Sequence, residues 1–435
     1  MNDIAEGSGA VPGLVALCHS IEAGALAADE VVRASWHRAR RTQSAIEAFA
    51  YLPETAPPAG RGPLAGIPVG IKDLIDTADM PTSYGAASFR DHRPAADAAV
   101  VARLRACGAT VVGKTVTTEF AHQQPGPTRN PWNGGHTPGG SSSGSAAAVA
   151  AGIVPLAFGT QTMGSVIRPA AFCGIVGFKP TFGCLPRDGV HPLCDALDHV
   201  GLFARSVDDV AEALHRLGFL PAGTFPEPRA LRFGVLRTDD PVVSPAQHEA
   251  FRQAVAAIRA AGHDVAEAAA PEGLDTVPGI VERLLTFDAA RHFGALVARH
   301  GTAISVPIRG LVERGRALRE ADHAAALAEQ AAFRDASRAV ADGFDALLTI
   351  PAAGEAPQGL ASTGDPRFCS PWSVAGVPAL TIPVGFGPGG LPLGLQVVGH
   401  RDGDTALLRA GAALARLFPP VTPPPAYRQA LGNSM

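Results

Sequence analysis

Lysine is nearly missing from this 435-residue chain: only Lys72, Lys114 and Lys179 occur, within a Lys plus Arg total of 36. Charge is sparse as well, at 17% of residues with a net of −4, and the basic residues are scattered. That excludes a nucleic-acid surface, which needs clustered positive charge. The six cysteines (Cys18, Cys107, Cys173, Cys184, Cys194, Cys369) form no C-x-x-C pair and no zinc spacing. Free thiols in a reducing cytoplasm are the expectation. The 14 histidines include no H-E-x-x-H arrangement, so neither a metal nor any other cofactor is implied. The first residues, Met1 to Glu6, are acidic and lack the basic-then-apolar pattern of a secretion signal. The longest uncharged apolar stretch, Ala146–Phe158, is interrupted by Gly152 and Pro155 and is too short to cross a bilayer. A soluble cytoplasmic protein without membrane or nucleic-acid partners is expected; a homodimer is compatible with the sequence.

What the chain does have is apolar material, at 46% of residues, enough for a large core. Helical periodicity marks two segments within 11–50, the second from about Ala28 to Phe49. Further helices are expected over Ala98–Cys107, Ser206–Leu217 (with Ser206 as cap), Pro245–Ala261, most of 272–342, and Thr405–Leu417. Strands are expected at Ile67–Ile71, Thr110–Gly113, Arg232–Leu236, Phe344–Ile350, Ala379–Val384 and Leu393–Val398. Alternating strands and helices without a repeat or long linker argue an α/β class with a mostly parallel sheet. The Pro-rich tail from Pro419 is expected on the surface.

The most distinctive stretch runs from Thr137 to Pro169. Two Gly/Ser-rich turns, Gly139–Ser145 and Gly159–Ser165, flank an Ala/Val segment suited to a buried helix. Such turns expose backbone N–H groups that can hold an anion or a developing oxyanion. Upstream, Lys72 follows the apolar run Ile67–Ile71, where poor solvation lowers an amine's pKa. A neutral lysine can serve as a base, which arginine cannot; the plainer alternative is an ammonium that snorkels to the surface. Two motif matches fail on context. Gly108–Thr115 fits a phosphate-loop expression, yet its middle is itself the expected strand. Gly140–Gly144 fits G-x-S-x-G, but no buried strand precedes Ser142.

Taken together, Lys72, G-G-S-S-S-G at 139–144 and T-M-G-S at 162–165 resemble the amidase signature family. Similarity covers about Leu64 to Val210, including N-P-W-N at 130–133, G-F-K-P-T at 177–181 and G-L-F-A-R-S-V-D-D at 201–209. It resumes at 376–385 and 391–399. The resemblance implies one α/β/α domain over 1–435, a large mixed, mostly parallel sheet covered by helices on both faces. Residues 1–60 would supply N-terminal helices, and 272–342 a helical region shaping the substrate pocket.

It also implies a Ser–cis-Ser–Lys triad of Lys72, Ser141 and Ser165, with a cis peptide between Gly140 and Ser141. Neutral Lys72 would draw a proton through Ser141 from Ser165, which attacks an amide carbonyl and forms an acyl-enzyme. Backbone N–H groups of Thr162, Met163, Gly164 and Ser165 would form the oxyanion hole, supported by the Ser142 and Thr162 side chains. Two positions depart from the family pattern: Met163 stands where a glycine is usual, and Ile167 stands where an arginine is common. A methionine would be strained at Met163 if positive φ were required, and its side chain could narrow the acyl pocket. Arg168 comes one residue later and could bind a substrate carboxylate; tying down the sheet edge is the alternative. Asp73 is expected to orient local backbone, and Asp198 and Arg205 to be structural.

The expected function is hydrolysis of a small carboxylic amide, with esters or carbamates open as further substrates. Two other readings remain. One is a glutamine-hydrolysing component of an amidotransferase that works on misacylated tRNA. The other is a non-catalytic binding protein on the same fold.

Overall fold

The computed structural model describes residues 12–221, 230–421 and 424–426. The first residues of the expected N-terminal segment and most of the Pro-rich tail lie outside the described residues.

Eleven strands form one sheet. They are β1 (Phe49–Tyr51), β2 (Pro68–Lys72), β3 (Thr110–Thr115), β4 (Leu156–Gln161), β5 (Val176–Lys179), β6 (His199–Ala204), β7 (Arg232–Val235), β8 (Asp264–Glu267), β9 (Ala346–Thr349), β10 (Ala379–Phe386) and β11 (Pro392–Val398). Their order is β1-β3-β2-β4-β6-β5-β10-β11-β9-β7-β8. The helices before the middle of the chain are α1 (Leu14–Glu22), α2 (Ala28–Ile46), α3 (Ala99–Ala106), α4 (Ser143–Ala150), α5 (Ile167–Cys173) and α6 (Val207–Arg216). After them come α7 (Pro245–Ala260), α8 (Val277–His300), α9 (Val306–Arg316), α10 (Glu320–Ala341), α11 (Ser370–Val374) and α12 (Asp404–Ala415).

The α/β class and the single large mixed sheet match expectation, but parallel pairing is confined to the flanks. β3-β2-β4 on one side and β9-β7-β8 on the other are parallel. The centre, from β4 through β6, β5, β10 and β11 to β9, is antiparallel throughout. β10 and β11 show why: residues 387–391 join them directly, a link too short for the crossover that parallel neighbours need.

Local sequence explains most elements. α2 buries Val31, Val32, Ala39 and Ile46 at helical spacing, then stops where Glu47 turns left-handed at φ 53°. Its expected extension to Phe49 is therefore wrong, and Phe49 instead opens β1. Ser206 caps α6 by accepting the Asp209 N–H, with Asp208 and Asp209 in the first turn and Arg216 in the last. All eight residues of α4 are buried. Its small side chains let it lie directly on the sheet: a Cβ at Gly144 would come within 2.2 Å of the Ala48 carbonyl oxygen. Opposite it, a Cβ at Gly159 would meet Ser142 Oγ at 2.6 Å.

One face of the sheet is apolar, with Val69, Ile71, Leu156, Phe158, Leu202, Leu380 and Leu395 packed with residues of α1, α6 and α12. A second cluster, built largely from α8, α9, α10 and α11, closes over the region beside the Gly/Ser-rich turns. No helix among the described residues is long and apolar enough to cross a membrane. The six cysteines are all free thiols, and Cys184 alone is only half-buried.

Candidate active site

β2 and β4 are parallel neighbours, so their C-terminal ends emerge side by side at one edge of the sheet. Lys72 is the last residue of β2 and is completely buried. Its Nζ lies 2.7 Å from Ser141 Oγ, 2.7 Å from Thr160 Oγ1 and 3.5 Å from the Thr160 carbonyl. Burial drives its pKa well below 10.5, and the charge of Asp198 opposes that shift only in part. The ammonium does not snorkel out.

Ser141 arrives through a cis peptide bond from Gly140. Both flanking carbonyls are held: Arg168 Nη2 donates to Gly140 O at 2.7 Å, and Thr118 N–H donates to Ser141 O at 3.2 Å. Ser142 fastens the neighbouring strand end. Its hydroxyl donates to Thr160 O at 3.1 Å and accepts from Thr160 N–H at 3.3 Å.

Ser165 follows β4 and directly precedes α5. It retains 8% exposure, and among the described residues its hydroxyl makes no hydrogen bond. The structure therefore joins Lys72 to Ser141, while the Ser141–Ser165 step is not a formed hydrogen bond. The backbone N–H groups of Thr162, Met163, Gly164 and Ser165 also take no partner among the described residues. Four successive unpaired N–H groups in a buried turn are rare, since buried backbone donors are normally satisfied. Met163 is not among the residues at positive φ, so the feared strain is absent. Its side chain is half-buried against the cluster formed by α8 to α11.

Three anchors hold this turn. Thr162 Oγ1 donates to Asp198 Oδ1 at 2.6 Å. Asp198 Oδ2 accepts the N–H groups of Leu193 and Cys194 at 2.8 and 3.0 Å, although burial still raises its pKa. Gln161 caps α5, its Oε1 accepting Val166 N–H and Ile167 N–H at 2.9 and 3.0 Å. Finally, Ser373 Oγ donates to Met163 O at 3.0 Å. Sequence reasoning missed Thr160, Gln161 and Ser373. Thr160 and Gln161 sit inside the motif as G-T-Q-T, but Ser373 in P-W-S-V offers no local signal.

The remaining expectations divide. Arg168 is buried, and its Nη2 also reaches Thr363 Oγ1 at 3.2 Å, while Nε and Nη1 find no partner among the described residues. Burial lowers its pKa to about 10. Asp73 accepts from Ser83 N–H at 3.1 Å and from the Ser83 hydroxyl, and lies 3.5 Å from Lys114, which fits the backbone-orienting role. Asp198 and Arg205 stand at opposite ends of β6, on the order of 20 Å apart along an extended strand. Arg205 instead donates to Pro12 O at 2.5 Å. Asp198, expected to be merely structural, touches the turn itself.

The amidase family model matches residues 14–408, spanning every element described above except the chain's last turns. The chain belongs to the amidase family. Among curated proteins, this amidase is 35% identical to a glutamyl-tRNA(Gln) amidotransferase subunit of Rhodopirellula baltica, over 90% of this chain and 93% of that one. Among solved structures, it superposes on a protein described as an amidase with TM-score 0.84 at 30% identity, covering 94% and 100% of the two chains. It also superposes on 6-aminohexanoate cyclic dimer hydrolase in complex with substrate, with TM-score 0.83 at 27% identity and coverage of 96% and 99%.

Proposed function

We propose that this amidase hydrolyses a small carboxylic amide through an acyl-enzyme on Ser165. The observation that carries the reading is a fully buried lysine, depressed in pKa, at 2.7 Å from the hydroxyl of Ser141. A neutral amine has two N–H donors and one lone pair. The two oxygens of Thr160 can take the donors, which leaves the lone pair for the Ser141 hydroxyl proton. Ser141 then becomes the acceptor for the proton of Ser165 as Ser165 Oγ attacks the carbonyl carbon. The oxyanion forms against the unpaired N–H groups of 162–165, which need no rearrangement to receive it. The stored proton returns through Ser141 to the leaving nitrogen, and water attacks the acyl-enzyme by the reverse route. Esters and carbamates share this acyl chemistry.

Arg168 adds a substrate preference. Two of its buried N–H groups are unpartnered, and a carboxylate on the substrate would satisfy both at once. Arg168→Ala should raise KM selectively for acidic amides, by roughly 10- to 100-fold for a lost charged hydrogen-bond pair. Equal losses on neutral and acidic amides would assign Arg168 to holding Gly140 alone.

The 35% identity to an amidotransferase component favours a second reading, glutamine hydrolysis within a larger assembly that works on tRNA. The deciding experiment uses the purified chain alone, with ammonia release followed on glutamine and on aliphatic, aromatic, acidic and carbamate substrates. Turnover of small amides without any partner supports the stand-alone hydrolase; activity on glutamine only when partner chains are added supports the second reading. A fluorophosphonate should label Ser165, and Lys72→Ala should abolish that labelling. An unlabelled wild-type chain would leave only a binding protein on this fold.

A further inference from the structure

The side chain of Gln161 is wholly buried, and its hydrogen bonds fix which end is oxygen. Two backbone N–H groups, from Val166 and Ile167, point at one end, so that end is the carbonyl. The other end is therefore the NH2 group, and it donates to Ser373 Oγ at 3.1 Å. With one lone pair so occupied, the single proton of the Ser373 hydroxyl is directed at its other neighbour, Met163 O, at 3.0 Å. The result is a chain of one sense: Gln161 amide to Ser373 hydroxyl to Met163 carbonyl. Ser373 is itself 1% exposed in α11, and α11 is held by Gln330 Nε2, which donates to Val374 O at 3.1 Å.

In a trans peptide the C=O and the N–H point in opposite directions. Met163 O is drawn toward Ser373, so the N–H of Gly164, in the same peptide unit, is turned to the opposite side. That N–H has no partner among the described residues. We propose that Gln161 and Ser373 are positioning residues that set the orientation of the Met163–Gly164 peptide and so aim the Gly164 N–H at the oxyanion. The proposal rests on the hydrolase reading above. It extends the machinery to a residue more than two hundred positions from Gln161, in a segment that no motif marks.

Labelling by a fluorophosphonate tests it without knowledge of the natural substrate, because attack by Ser165 on phosphorus builds the same oxyanion. Two variants separate positioning from folding. Ser373→Ala removes the donor to Met163 O. Gln161→Glu keeps size and the α5 cap, but its carboxylate takes the Ser373 proton and turns it away from Met163. Both should cut the maximal labelling rate on the order of tenfold, with the half-saturating probe concentration unchanged, since a misdirected oxyanion donor costs rate and not binding. Thermal midpoints close to wild type for Gln161→Glu would complete the result. Wild-type labelling rates in both variants overturn the proposal, as does slow labelling that merely tracks a collapsed thermal transition in both. A wild-type chain that does not label at all overturns the hydrolase reading instead, and the proposal with it.

Discussion

Lys72 faces two hydroxyls, whereas Lys179 donates to the carbonyls of Pro180 and Val377, and Lys114 bonds Ile75 O and Thr82 beside the carboxylate of Asp73. All three are buried, and all three are pushed down in pKa by desolvation, Lys114 to about 8 and Lys179 to about 7. Depressed basicity therefore does not single out a base; a partner with a proton to give does. The linkage has a definite sign. Between the folded value and 10.5 the unfolded chain binds more protons, so stability rises with pH, by up to about 1.4 kcal/mol per unit for each group. For Lys179 that window runs from about 7 to 10.5. Lys179→Met should flatten the rise in denaturant-measured stability across it while labelling of Ser165 persists. Lys72→Met should flatten it too, but without labelling. Thr160→Val, which keeps the shape and loses the hydroxyl at Lys72, should slow labelling roughly tenfold, the worth of one net hydrogen bond. Lys72 was legible because a rare lysine ends an apolar run. Thr160 was not, because its partnership is created by strand pairing across 88 positions.

At the scale of elements, the helices with one wet face and one dry face declared themselves, and so did their caps. Ser206→Ala should lower stability by about 1 kcal/mol, read by urea melts, with no effect on labelling. The strands at the centre did not declare themselves. β4 reads L-A-F-G-T-Q and is buried at every position, so no alternation marks it. α4 was recognisable as a buried helix from its alanines, but nothing in the sequence says how closely it approaches its neighbours. Gly144→Ala sets a methyl 2.2 Å from a backbone oxygen and 2.3 Å from Val116 N, with no flexible side chain to yield. That variant should lose well over about 1–3 kcal/mol, the usual range for overpacking, and is expected to accumulate as insoluble protein.

Across the whole molecule, the α/β class followed from alternating elements, but the strand order joins segments far apart in sequence. β5 pairs with β10, some two hundred residues on, which no local pattern foretells. The same topology carries the loop 361–369 back to the site. Thr363 packs on Gly140, and Pro366 and Cys369 pack on Gly164. The loop is fastened at its rim by Arg367, which pairs with Asp365 within the loop and with Asp240 beyond β7, both at 2.8 Å. These pairs are partly exposed and contribute little to overall stability. Arg367→Ala should leave the thermal midpoint almost unmoved while changing KM across an amide panel more than kcat.

α4 and the turns around it are built from glycine, alanine and serine packed against backbone, and so have almost no room in which to vary. A laboratory seeking new selectivity should therefore leave 139–165 untouched and diversify 361–368. There, side chains can be exchanged without rebuilding the fold, and the reaction and the choice of reactant become separately adjustable.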